Sequence, residues 1–231
     1  MSASSVLLLH GHGLDQSYLR AGHDPLNARL TYVDQRVDVQ LADFVDLIDR
    51  DTIVIAHSSA SWMMLEYAQR YPVRGLVLSG CAPAFDYPDV VVANAKRRDP
   101  VLADKLVAGL TSPPTSDEAY KQIWLEVLPL YFVGAPQRAL IEHCRFSGRQ
   151  HIHAHATFKG VPLASDLRAI TVPILAITGR QDFITPPEQA ERIAASAPNA
   201  RAAIIEDAGH FAFAEQPIAY RAAIADWMAS L

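Results

Sequence analysis

Apolar residues along this chain gather in short unbroken runs, and the stretches between them mostly carry helical spacing. Residues 6–9 (VLLL), 30–34 (LTYVD), 53–55 (IVI), 75–78 (GLVL), 172–177 (VPILAI) and 202–205 (AAII) are each too short for a buried helix and rich in aliphatic side chains. They predict strands, most of them covered on both faces. Leu41, Phe44, Val45, Leu47 and Ile48 fall at helical spacing, with acids on the other face, and predict an amphipathic helix. Met63, Met64, Tyr67 and Ala68 predict a second helix, stopping before Pro72. A last helix is expected from about Pro217 to the end, with Ile218, Ala222, Ile224 and Trp227 inward. Strand–helix alternation of this kind predicts an α/β fold: a doubly wound, mostly parallel sheet of about six strands.

The alternation stops near Ala84 and resumes after Asp166. Between them, residues 90–98, 101–110 and 136–146 are helix candidates. Thr115-Ser116-Asp117-Glu118 reads as a capping box for a helix through Ile123, Trp124, Val127 and Leu128. The block 84–165 is therefore expected to be a helical cap inserted over the strand ends, with residues 1–83 and 166–231 forming the core; the alternative is that its helices belong to the core itself. His151, His153 and His155 alternate with other residues, so an extended segment would present all three on one face. A metal face is one reading. The polar face of a connector is favoured, because no acid or cysteine stands close enough in sequence to complete a ligand shell.

Composition narrows the classes. The chain has 231 residues, half of them hydrophobic and 19% charged, which suits one globular α/β domain with an insertion. A net charge of −5 and a pI near 6.0 give no basic surface for nucleic acid or anionic membrane. The one basic run, Lys96-Arg97-Arg98, reads as a solvated helix end. Two distant cysteines, Cys81 and Cys144, suggest reduced thiols in a cytoplasm. The N-terminal apolar run is too short for a signal peptide or a membrane span.

The chemistry-bearing residues cluster where strands end. The first strand runs into His10-Gly11-His12-Gly13, whose glycines let the backbone approach a ligand. His10 and His12 with Asp15 also allow a metal reading, weakened by the lack of further ligands at suitable spacing. The third strand breaks at Ala56-His57-Ser58-Ser59-Ala60, a tight turn with serine at its apex. Such a nucleophile elbow needs small residues two positions to either side, and prefers glycine where this chain has Ala56 and Ala60. The plain alternative is a serine in an ordinary loop. Asp182 follows the fifth strand, just before Thr185-Pro186-Pro187-Glu188, which reads as another capping box. His210 follows the sixth strand. Serine, acid and histidine thus appear in that order, each beyond a strand's carboxyl end.

The segments LLLHGHG, YVDQR, AHSSAS, LEYAQRYPVRGLVLSG, VPILAITGRQDFITPP and DAGHFAFAEQP together resemble the α/β-hydrolase superfamily, and within it the proline iminopeptidase and related small-molecule hydrolase branch. They cover most of residues 5–83 and 166–231. The chain departs from that pattern in starting at what is usually the third strand, without the leading hairpin, and in a short loop after Asp34. Alanines also flank the elbow, and His12 stands where a small residue is commoner. The resemblance and the spacing imply Ser58 as nucleophile, His210 as its base and Asp182 as the acid orienting His210. Backbone N–H groups of His12 and Ser59 would form the oxyanion hole. Trp124, Tyr131 and Phe132 would line the pocket, and His57 would serve packing. The expected activity is cofactor-free and metal-free hydrolysis of a small carboxylic ester, lactone or amide through an acyl-enzyme. One alternative is a proline-iminopeptidase-like aminopeptidase, with Glu118, Glu126 or Glu142 holding the free amine. Another is a hydrolase fold used for ligand binding, cyclisation or elimination. The expected partner is a small-molecule substrate, not nucleic acid or membrane.

Overall fold

A computed structural model describes residues 4–24, 26–84, 86–111, 114–158 and 166–231, with the side chains of residues 110, 111 and 154–158 left aside. Its centre is a sheet of β1 (Ser5–Leu9), β2 (Arg29–Val33), β3 (Thr52–His57), β4 (Gly75–Ser79), β5 (Ile174–Gly179) and β6 (Ala200–Ile205), ordered β2-β1-β3-β4-β5-β6. All neighbouring strands run parallel. The expected α/β architecture is therefore present.

The aliphatic runs explain why the sheet is covered twice. Successive side chains of a strand point to opposite faces. Val6, Leu8, Ile53, Ile55, Val77, Leu175 and Ile177 enter one apolar cluster, while Leu7, Leu9, Val54, Ala56, Leu76, Leu78, Ile174 and Ala176 enter the other. The second cluster is closed by α2 (Ser59–Arg70), through Met63, Met64 and Tyr67, and by α8 (Pro187–Ser196), through Ala190 and Ile193. The first is closed partly by α10 (Pro217–Met228). Its inward stripe is Tyr220, Ile224 and Trp227, at i, i+4 and i+7. Ile218 is 80% exposed and Ala222 is exposed, contrary to expectation, because they lie off that stripe.

Short helices α1 (Arg20–His23) and α9 (Ala212–Glu215) flank α10. Between β4 and β5 come α3 (Pro88–Arg98), α4 (Pro100–Thr111), α5 (Asp117–Val127), α6 (Arg138–Ile141) and α7 (Gly148–Phe158). Val91, Ala95, Ala103, Leu106, Tyr120 and Val127 of this block pack into the first cluster, continuous with the sheet.

Several local expectations are corrected. The helix expected over 41–48 is a single 3-10 turn, Leu41–Phe44. Asp43 folds back onto the Gln40 N–H at 2.9 Å, and only Phe44 and Ile48 are buried, Val45 and Leu47 facing outward. The helix expected over 136–146 shrinks to α6. The α5 cap is Ser116, not Thr115: its Oγ accepts the Ala119 N–H at 3.1 Å. His151 and His153 are on α7 and not in an extended segment, so the alternating-face argument does not apply to them. The His155 side chain lies outside the described residues. Among the described residues no helix is long and apolar enough to cross a membrane.

The strand order places β1 between β2 and β3, so the chain leaves β1 in one direction and returns on its other side. The carboxyl ends of β1 and β3 meet at that switch point. In open parallel sheets this is where a crevice forms.

Candidate active site

The turn after β3 holds Ser58 at φ 56° and ψ −129°. A serine at positive φ costs roughly 1–3 kcal/mol, and surrounding contacts must hold it there. The Ser58 N–H donates to Ser79 O at 2.8 Å, anchoring the turn to the end of β4. The Ser61 N–H donates to Ser58 O at 2.9 Å, and Ser61 Oγ donates to Ala56 O at 2.8 Å. Ala56 and Ala60 are both completely buried, so their methyls fit where the sequence pattern prefers glycine. Space is nonetheless short on the facing loop: a Cβ on Gly11 would stand 3.2 Å from Ser58 Cβ. Ser58 itself stays half-buried.

Asp182 and His210 lie together. His210 Nδ1 is 2.8 Å from Asp182 Oδ2, and both residues are almost wholly buried. The carboxylate is satisfied on both oxygens. Oδ1 accepts the N–H groups of Ile184 at 2.9 Å and Thr185 at 3.0 Å; Oδ2 also accepts Thr185 Oγ1 at 2.6 Å. Burial pushes the Asp182 carboxyl upward, but the His210 charge and hydrogen bond and the Thr185 donors outweigh it and hold it below the usual carboxylate range. Thr185 is therefore not the cap of α8. That position belongs to Pro186, with Pro187 at the first helical position, and the Thr185 hydroxyl serves Asp182. A Cβ on Gly80, at φ 61°, would lie 2.9 Å from His210 Cε1. The imidazole thus packs on the residue after Ser79, the residue that anchors Ser58. With Nδ1 on Asp182, its Nε2 edge points away from the acid. Among the described residues, neither that nitrogen nor the Ser58 hydroxyl has a protein hydrogen bond.

The loop after β1 is held amide by amide. The Gly11 N–H donates to Tyr18 Oη at 2.7 Å, the His12 N–H to Ser59 Oγ at 2.9 Å, and the Gly13 N–H to Gln150 Oε1 at 2.7 Å. His12 Nδ1 is also 2.7 Å from Ser59 Oγ. Both expected oxyanion residues, His12 and Ser59, are side by side here, linked through the serine hydroxyl. His10 is directed to backbone: Nδ1 lies 2.8 Å from Gly11 O, and Nε2 accepts the Gln35 N–H at 3.0 Å. Burial lowers its pKa, so the neutral ring is favoured. Among the described residues no three His, Cys, Asp or Glu side chains converge as a metal site.

Aromatic rings adjoin His210. Trp124 stacks on Tyr131 with centroids 4.6 Å apart, and Tyr131 meets His210 edge-on at 5.8 Å. Phe132 stacks on Phe211 at 5.1 Å and sits one ring further back. The three acids considered for an amine are engaged elsewhere: Glu126 with Lys105, Glu142 with Arg138, and Glu118 with Gln122.

Sequence reasoning missed four contributors: Tyr18, Gln150, Thr185 and Glu215. Glu215 accepts the N–H of Gly209 through one oxygen and that of Val133 through the other, each at 2.6 Å. His210 N–H donates to Tyr131 O at 2.9 Å, so Glu215 closes a ring of contacts between the His210 loop and the Tyr131–Val133 segment. Burial raises the Glu215 pKa, opposed by those two amides. Distance in the chain hid the Tyr18–His57, Gly13–Gln150 and Val133–Glu215 contacts; Thr185 had a signal, as the hydroxyl three residues after Asp182.

A family model described as the alpha/beta hydrolase family matches residues 6–223. A proline iminopeptidase from Pestalotiopsis fici is 24% identical over 182 residues, covering 73% of this chain and 63% of its own. This chain thus spans less than two thirds of that curated relative. An esterase from Exiguobacterium antarcticum superposes with TM-score 0.72 at 17% identity, over 99% of this chain and 92% of its own. The enol-lactonase from Burkholderia xenovorans LB400 does so with TM-score 0.66 at 20% identity, over 99% and 92%. At such identities the structural likeness speaks for the fold.

Proposed function

Starting from the fact that the chain belongs to the alpha/beta hydrolase family, we propose that it is a serine hydrolase cleaving a small carboxylic ester, lactone or amide through an acyl-enzyme on Ser58. The observation that supports this most is the strained serine turn at φ 56°, anchored beside a buried His210–Asp182 pair.

A serine hydroxyl is a weak nucleophile until a base takes its proton. His210 Nε2 would accept that proton as Oγ attacks the acyl carbon. Asp182, fixed by three further donors, would hold Nδ1–H and stabilise the imidazolium. The negative charge on the former carbonyl oxygen would be met by the N–H of Ser59, at the first turn of α2, and that of His12. The imidazolium then protonates the leaving group. Water, deprotonated by the same imidazole, attacks the acyl-enzyme and releases the carboxylic acid. No cofactor enters these steps. The helices between β4 and β5 would act as a cap, with Trp124 and Tyr131 against the acyl group and Phe132 supporting them from behind.

The aminopeptidase alternative is favoured by the name of the Pestalotiopsis relative. Against it, Glu118, Glu126 and Glu142 are engaged in side-chain pairs of their own, and Glu215 is occupied by backbone amides. A panel of p-nitrophenyl esters, lactones and amino-acyl anilides separates the two. Ester turnover should exceed anilide turnover, and Ser58→Ala should cost on the order of 10⁴-fold or more in kcat. Unchanged turnover in Ser58→Ala would defeat the acyl-enzyme and favour a non-hydrolytic role for the fold.

A further inference from the structure

Behind the candidate site lies a buried polar chain that the steps above do not use. His57, the residue before Ser58, is 2% exposed, and Tyr18 is 1% exposed. The Gly11 N–H donates to Tyr18 Oη at 2.7 Å; Tyr18 Oη lies 2.9 Å from His57 Nδ1; His57 Nε2 lies 3.1 Å from His210 O. The proton placement follows from the end groups. A carbonyl oxygen only accepts, so His57 Nε2 must carry hydrogen. In a neutral ring Nδ1 then accepts, and the Tyr18 hydroxyl must donate to it while receiving the Gly11 N–H. Burial, followed by the nearby charge of His210, drives the His57 pKa well down and keeps the ring neutral. Phe211 stacks on the His57 ring at 5.4 Å and Phe213 meets it edge-on at 5.2 Å, leaving an apolar sleeve around the chain.

We propose that Tyr18 and His57 are positioning residues: one directional hydrogen-bond relay that sets the loop carrying the oxyanion donor against the backbone of the catalytic histidine, through the residue next to the nucleophile. It thus joins the last residue of β3 to the loops that follow β1 and β6. This deepens, and rests on, the reading of Ser58 and His210 as nucleophile and base. The sequence reading of His57 as packing is thereby extended: the ring packs, and it also carries a direction.

The test uses full-length enzyme titrated for active sites with a fluorophosphonate. Tyr18→Phe and His57→Leu should each lower kcat per titrated site by about tenfold with KM within twofold. His57→Gln, whose amide nitrogen can donate to His210 O while its amide oxygen accepts the Tyr18 hydroxyl, should recover most of that loss. The double variant Tyr18→Phe/His57→Leu should be no worse than His57→Leu, since one relay breaks once. ¹⁵N spectra of wild type should show His57 as the Nε2–H tautomer. The proposal is overturned by an Nδ1–H tautomer, by stably folded Tyr18→Phe with wild-type kcat, by His57→Gln as impaired as His57→Leu, or by additive losses. If His57→Leu fails to fold, Tyr18→Phe, His57→Gln and the spectrum still decide. Failure of the underlying reading shows separately, as wild type that turns over substrate without labelling at Ser58, and it overturns the relay with it.

Discussion

Ser59→Ala isolates the contact between the two expected oxyanion residues. In the free protein the His12 N–H donates to Ser59 Oγ at 2.9 Å, and His12 Nδ1 is 2.7 Å from the same oxygen. A substrate oxyanion needing that N–H must first take it from the serine hydroxyl. A hydrogen bond of this kind is worth about 0.5–1.5 kcal/mol net. Removing the hydroxyl leaves the residue-59 backbone N–H in place, and alanine is well tolerated in the first turn of a helix. The freed donor should therefore raise kcat/KM for p-nitrophenyl esters by about 2- to 10-fold, from the same 0.5–1.5 kcal/mol. Ser59→Thr, which keeps a hydroxyl, should stay near wild type. Rates are to be referred to titrated active sites. An unchanged or lowered kcat/KM in Ser59→Ala would refute the reasoning, and would make the hydroxyl a contributor to the site instead of a competitor.

Further expectations follow from other contacts. Gly80→Ala places a Cβ 2.9 Å from His210 Cε1 at φ 61°, and should lower kcat at least tenfold while circular dichroism stays native. Glu215→Gln sets an amide N–H₂ against one of the two backbone N–H groups now accepted, and should cost about 1–3 kcal/mol in urea unfolding together with a loss of kcat. His23, fully buried with Nδ1 2.6 Å from Leu19 O, has its pKa pushed down by burial to about 4. A depressed histidine pKa means the unfolded chain binds the proton first. This stabilisation is complete above pH 6.5 and is lost as pH falls towards 4, amounting to about 3 kcal/mol. Wild type should lose about that much more than His23→Gln between pH 7 and pH 4; equal slopes in urea titrations would contradict it.

The sheet was legible because buried parallel strands leave continuous aliphatic runs, and each of the six runs is a strand within a few residues. The placement of Ser58, Asp182 and His210 beyond the ends of β3, β5 and β6 was legible for a related reason: a loop at a strand's end has few places to go. Amphipathic spacing was less dependable. Residues 41–48 have helical periodicity, yet Asp43 caps Gln40 and closes the turn early. Residues 151–155 alternate like a strand and lie in a helix, because five residues do not separate a period of 2 from one of 3.6. The capping box at Thr185 misled because a threonine near an acid can serve a helix or a carboxylate, and only the fold decides. Tyr18, Gln150 and Glu215 make their contacts across 39, 137 and 82 residues respectively, and no local pattern encodes such pairings.

Covalent capture tests the central claim most directly. Wild-type protein treated with a fluorophosphonate should gain one adduct per chain, mapped by peptide mass spectrometry to Ser58 and absent from Ser58→Ala. Modification of a different serine, or ester turnover by a protein that takes up no label, would contradict it.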